Sequence, residues 1–170
     1  LRRRFQDIPV DAVYGSDLTR AHTTASALYV PRGLPFRPLP LLREVRLGDW
    51  EERTWAEIKR RYPEMYVHFN KRPDLWRAYD AETLTEAVRR MAAENPGLTV
   101  AATSHGAALR TLLGTLEGMT LQEIGQSGHS DNTAVSLLEV EGDEIRVVYR
   151  DDASHVPPEC STFRRQNWYK

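Results

Sequence analysis

The stretch whose reading decides the fold is LTVAATSHGAALRTLLGTLEG, residues 98–118. LTVAATS has the continuous apolar character of a buried strand, and HGAALRTLLGTLEG reads as a helix that begins immediately after it. In open, mostly parallel sheets, ligands gather where a strand's carboxyl end passes into a helix N-terminus. His105 stands at that junction, and Gly106 beside it permits close approach of a ligand. A histidine so placed can be a phosphate ligand, a base, a metal ligand or a packed core residue.

A second junction of the same form lies upstream. VDAVYGSD, residues 10–17, carries apolar Val10, Ala12, Val13 and Tyr14 and stops at Gly15, as a short strand does. A helix capped by Ser16 or Asp17 is expected to run from Asp17 through LTRAHTTASAL to about Leu28. Arg20 then falls in its first turn, where a guanidinium and the orphan backbone N–H groups can meet the same anion. A planar, bidentate donor suits a phosphoryl group, although a plain exposed arginine fits the position too.

The rest of the chain frames these two units. LRRRFQD at the start reads as the last turns of a basic helix, and FRPLP allows a peripheral strand near Phe36 to Leu39. TWAEIKRRY is expected to be helical, with Thr54 and Glu57 in capping-box spacing and Pro63 disturbing its end. Residues 64–79, with Tyr66, Phe69 and Trp76, read as a helical or irregular cover able to shape a leaving-group pocket or simply to pack. Thr83 and Glu86 repeat the box spacing and open a helix to about Asn95. A short helical turn follows at TLQEIG, then a hairpin of TAVSLLEV and EIRVVY about a turn at Glu141 to Asp143, and a polar tail. The expected class is α/β: a mostly parallel sheet with helices on both faces and a C-terminal antiparallel hairpin.

Composition narrows the function. Twenty-three Lys plus Arg against 24 Asp plus Glu leave no global field for a nucleic-acid backbone or an anionic membrane, so any anion site is local. The lone Cys160 forms no internal disulfide, the histidines make no zinc motif, and GxGxxG and GxxxxGK[ST] are absent. No cofactor is implied, and no leader or spanning segment is legible, which makes a cytoplasmic protein the default. Glu44 is followed by Val45, Leu47, Gly48 and Trp50, so it sits in a loop with apolar anchors rather than in a solvated charge run. Apolar surface beside a phosphate would favour its protonated form and suit it to general-acid work. Glu51 and Glu52 are weaker candidates, and the other histidines are less informative: His22 points roughly away from Arg20, His68 falls in the aromatic cover, His155 in the polar tail, and His129 precedes the hairpin, where a loop residue or the edge of a pocket both fit.

Three segments together resemble the histidine phosphatase, or phosphoglycerate mutase-like, superfamily in its small phosphatase branch: YGSDLTRAHTTA, LLREVRLGDWEERTWAEI and TVAATSHGAALRTLL. The resemblance continues through NTAVSLLEVEGD and implies a phosphoglycerate mutase-like fold and a metal-independent covalent mechanism. A histidine of an RHG motif attacks phosphorus; Arg20 matches the phosphate-clamping arginine, Glu44 the acid, and His105 the second, charge-stabilising histidine. No RHG occurs in these residues. A single domain, 1–170, lacking its first strand is therefore expected, with the nucleophile segment outside the sequence. VRLGDWEE favours a phosphatase over a mutase, whose loops resemble ERHYG. The expected partner is a small phosphorylated metabolite, with no nucleic acid or membrane, and a homodimer is left open. The alternatives are mutase-type phosphoryl transfer and a catalytically inactive module binding phospho-ligands or a protein.

Overall fold

The computed structural model describes residues 1–45, 48–71 and 81–162. Three parallel strands form its first sheet in the order β2-β1-β3: β1 (Ala12–Gly15), β2 (Phe36–Pro38) and β3 (Val100–Thr103). The proline-bearing β2 lies at an edge, where a missing backbone N–H costs no ladder bond. Strand β1 is buried throughout, and its side chains alternate between two layers. Ala12 and Tyr14 join Leu84, Ala87, Val88 and Met91 of α4 (Ala81–Glu94) and Ala108 and Leu112 of α5 (Gly106–Leu116). Val13 turns the other way, to Ala25 and Leu28 of α1 (Thr19–Tyr29). Helices thus cover both faces, as the alternation of apolar strands and helices requires.

The C-terminal hairpin pairs β4 (Val135–Glu141) with β5 (Glu144–Asp152) as a separate antiparallel sheet. Gly142 takes the positive φ of 59° at the first of the two loop positions, as a tight hairpin turn demands. Leu138, Val140 and Ile145 of the hairpin pack against the layer that holds α4 and α5.

Several local expectations are corrected. Residues 2–7 form turns rather than helix. Helix α1 starts at Thr19 with Leu18 as its N-cap, because the side chains of Ser16 and Asp17 are engaged elsewhere. Pro63 does more than disturb a helix end: α2 (Trp55–Arg61) stops before it, and α3 (Pro63–Lys71) begins on it, where its fixed φ is an asset. Helix α4 begins at Ala81, so Thr83 lies inside its first turn and is not the capping residue. The expected box at Thr54 and Glu57 does form, and a second, at Thr120 and Glu123, opens α6 (Leu121–Gln126). The Phe69 side chain, Trp76 and the tail beyond Thr162 lie outside the described residues, while Tyr66 packs against the small cluster of Trp50 and Ile58.

The sheet register places the site. Gly15 is opposite Thr103, so the residues that follow each strand emerge side by side at one edge. A Cβ at Gly15 would overlap Thr103 Oγ1 and come within 2.9 Å of the Phe36 ring. Thr103 is buried and donates to the Ala21 carbonyl at 3.1 Å, so it has little freedom to yield. Gly15→Ala should therefore destabilise the protein by about 1–3 kcal/mol, the usual range for overpacking. Urea unfolding checks this; a midpoint equal to that of the unsubstituted protein would contradict the tight strand approach.

Candidate active site

His105 is the N-cap residue of α5, with extended backbone at φ −130°, and is only 6% exposed. Its two ring nitrogens face two residues of the β1–α1 unit. Arg20 Nε lies 3.0 Å from Nδ1, and the fully buried Ser16 Oγ lies 2.8 Å from Nε2. A guanidinium only donates, so Nδ1 must accept from Arg20 and the ring's single proton must sit on Nε2, donated to Ser16. His105 is therefore neutral in this arrangement. Burial foremost, then the Arg20 charge, lower its pKa from 6.5 to about 4, against a smaller opposing influence of Asp17.

Arg20 itself is exposed, and the Nε contact is its only side-chain hydrogen bond among the described residues. Its terminal amino groups are thus available to an anion.

Glu44 arrives at the same helix end from the loop after β2. Its Oε1 accepts from Ala108 N at 2.9 Å and from its neighbour Val45 N at 3.0 Å; among the described residues Oε2 accepts only a long bond, from Ala107 N at 3.4 Å. The first turn of α5 contains no acidic residue, so a carboxylate brought from a distant loop satisfies its free N–H groups and complements its dipole. Two further contacts hold that loop. Ser104 Oγ donates to the Leu42 carbonyl at 2.8 Å, and Arg43 grips Asp17 with both its Nε (2.6 Å) and Nη2 (2.5 Å). The hydrogen bonds between them hold the Asp17 carboxyl below its ordinary range and raise Arg43. The pair is solvent-exposed, so its main contribution is geometric.

The structure thus brings Arg20, His105 and Glu44 to one edge, at the carboxyl ends of β1 and β3. Ser16, Asp17 and Ser104 fall inside the two strand-to-helix segments, 16–20 and 104–110, that the sequence marks as ligand sites, but nothing in the sequence singles them out there; Arg43 is legible only as the chain neighbour of Glu44. His22 stacks on Tyr29 and packs at a tilt against Phe36. His129 lies 3.5 Å from Arg110 Nη1. An open depression of about 880 Å³ lined by Arg2, Asp7, Pro9 and Arg32 sits at the amino end of β1 and includes none of the three. Among the described residues no group of three or more His, Cys, Asp or Glu side chains is placed to hold a metal ion, and no helix is long and apolar enough to cross a membrane.

Residues 1–153 match the family model of the histidine phosphatase superfamily (branch 1), and the chain belongs to that superfamily, which makes it a phosphatase of the histidine type. Among solved structures it is similar to YhfR of Bacillus stearothermophilus, with 29% identity and a TM-score of 0.86 over 92% of this chain and 81% of that one. A mycobacterial glucosyl-3-phosphoglycerate phosphatase in complex with inorganic phosphate is 22% identical, with a TM-score of 0.78 over 92% of this chain and 84% of that one. The α-ribazole phosphatase of Shigella flexneri is 21% identical, with a TM-score of 0.71 over 88% and 77%.

The lowered pKa of His105 has a consequence for stability. As pH falls from about 6.5 to about 4, the unfolded chain takes up a proton that the folded site refuses, so stability is lost across that window. The loss amounts to roughly 3 kcal/mol at most. In chloride buffers, His105→Asn should remove this share of the acid destabilisation. Parallel curves of unfolding free energy against pH for the two proteins would rule out a neutral, buried His105.

Proposed function

We propose that this protein hydrolyses small phosphate monoesters through a phosphohistidine intermediate, with Arg20, His105 and Glu44 handling the transferred group. The observation that carries the proposal is the 3.0 Å contact of Arg20 with His105 at the helix end where Glu44 is anchored. A donor fork, an imidazole and a carboxyl group meet where helix dipoles and backbone N–H groups already favour an anion.

The nucleophile in this mechanism is a histidine of an RHG segment outside these 170 residues. The sheet supports that assignment: among the described residues β3 is hydrogen-bonded on one side only, and the β4–β5 hairpin forms a sheet of its own against the same core layer. A strand between them would join the two sheets and deliver a residue to the carboxyl edge. Its imidazole nitrogen attacks phosphorus in line as the ester oxygen leaves with a proton from Glu44. Water then attacks the phosphohistidine, giving its proton to Glu44, and inorganic phosphate departs. The single long bond to Oε2 of Glu44 among the described residues supports assigning that proton to this oxygen. Arg20 and His105 neutralise charge on the equatorial oxygens, so the acceleration comes from positioning and electrostatics without metal or organic cofactor.

Small phosphorylated metabolites are the proposed substrate class, in keeping with relatives named for glucosyl-3-phosphoglycerate and α-ribazole phosphate. The full-length protein should turn over p-nitrophenyl phosphate in the presence of EDTA and accumulate an acid-labile phosphoprotein. Arg20→Ala should raise KM for phosphate esters. Glu44→Gln should lower kcat, by roughly 10²–10⁴-fold for alkyl phosphates and far less for p-nitrophenyl phosphate, whose leaving group needs little protonation. Absence of both turnover and phosphoprotein in the full-length protein would replace hydrolysis with a binding role.

A further inference from the structure

We propose that Ser16 is a positioning residue of this site: its buried hydroxyl fixes the His105 ring with the proton on Nε2, leaving Nδ1 as the nitrogen presented to Arg20 and to any anion that draws Arg20 away. The inference rests on the anion-binding assignment of this edge but concerns a residue and a proton that the assignment does not specify.

The geometry leaves one solution. Ser16 Oγ accepts from Leu18 N at 3.2 Å and stands 2.8 Å from His105 Nε2. Its backbone N–H donates to the Thr103 carbonyl at 2.9 Å, so the residue is pinned to β3 and its side chain is fully enclosed. With Arg20 donating to Nδ1, an Nε2 without its proton would leave the ring an anion, which excludes Ser16 as the donor between them. Ser16 therefore takes two donors, Leu18 N–H and His105 Nε2–H, on its two lone pairs.

This arrangement makes His105 a gate for one proton. A second ring proton can be placed only on Nδ1, where it would face the Arg20 Nε–H across 3.0 Å. Protonation of His105 and its hydrogen bond from Arg20 are mutually exclusive. An anion removes the conflict, because it accepts from the guanidinium and from Nδ1–H alike. The charged groups acting on the ring are Arg20 from α1, which opposes protonation, and Asp17 from the preceding turn, which favours it but is tied to Arg43. The Glu44 carboxylate lies on the same first turn of α5 that His105 caps, on the N–H groups of Ala107 and Ala108. Burial keeps the ring neutral until the anion arrives. Anion binding at near-neutral pH is thereby coupled to uptake of a proton on Nδ1, which turns His105 from an acceptor into a cationic donor toward the bound group.

The test uses the full-length protein labelled with ¹⁵N-histidine, with His105→Asn to assign the signals. Long-range ¹⁵N–¹H correlation should show His105 as the pure Nε2–H tautomer in the free protein, and a mixture of tautomers in Ser16→Ala. Arg20→Ala should shift the His105 titration upward. Sulfate, a dianion throughout the working range, should add the Nδ1 proton, and calorimetry in buffers of different ionisation enthalpy should register uptake approaching about one proton per site. Ser16→Ala should also lower kcat/KM about tenfold and displace the acid limb of its pH profile, which loss of packing alone would not do. An Nδ1–H tautomer in the free protein, or an unchanged tautomer in Ser16→Ala, overturns the role of Ser16 whatever the activity. Sulfate binding that Arg20→Ala leaves intact would instead overturn the anion assignment, while the tautomer result stands by itself.

Discussion

Arginine has no hydrogen-bond acceptor, and much of the site's arrangement follows from that when its guanidinium meets an imidazole. The contact between Arg20 and His105 joins the first turn of α1 to the N-cap of α5, and so joins the two strand-to-helix units that build the core. It dictates where the ring proton sits and what Ser16 must do. It depends in turn on the parallel pairing of β1 with β3, whose register sets Gly15 beside Thr103 and lets the next residues of both strands converge. Residues 85 positions apart become neighbours because two short strands end together.

The two junctions were legible from sequence because each combines three independent signals: a short apolar run, a glycine at or just past its end, and a helical period beginning at once. The parallel class and the hairpin followed from the same patterns. Glu44 was legible as a candidate through the apolar residues after it and through family resemblance. Its attachment to the α5 backbone was not, since a carboxylate bonded to N–H groups 63 and 64 residues away leaves no trace in local spacing. Ser16 read as a helix cap for a sound local reason: it precedes a helix and has the right side chain. A buried tertiary partner claimed that hydroxyl, and α1 began without a side-chain cap. Thr83 illustrates the reverse failure, a box spacing without a box, because α4 already extends upstream of it.

Apolar layers and polar clasps divide the work of holding this edge. The layers on either side of β1 fix where α1, α4 and α5 lie, with an accuracy set by close packing. Hydrogen bonds then fix the loops: Ser104 to Leu42, Asp17 to Arg43, Thr103 to the carbonyl of Ala21. Exposed pairs such as Asp17–Arg43 add little to folding, yet they decide how a loop approaches a helix. A site made this way can tolerate surface change while remaining sensitive to substitutions of a single methyl group at its strand ends.

The seating of Glu44 on the backbone of α5 divides the site into a stiff part and a pliant one. Carboxylate and imidazole ride on the same helical turn, so a tilt or slide of α5 displaces them together and leaves their spacing intact. Arg20 belongs to another helix and reaches the ring through a long, exposed side chain. Relative movement of the two units therefore falls to the arm of one arginine, while the carboxylate and the imidazole keep a common frame.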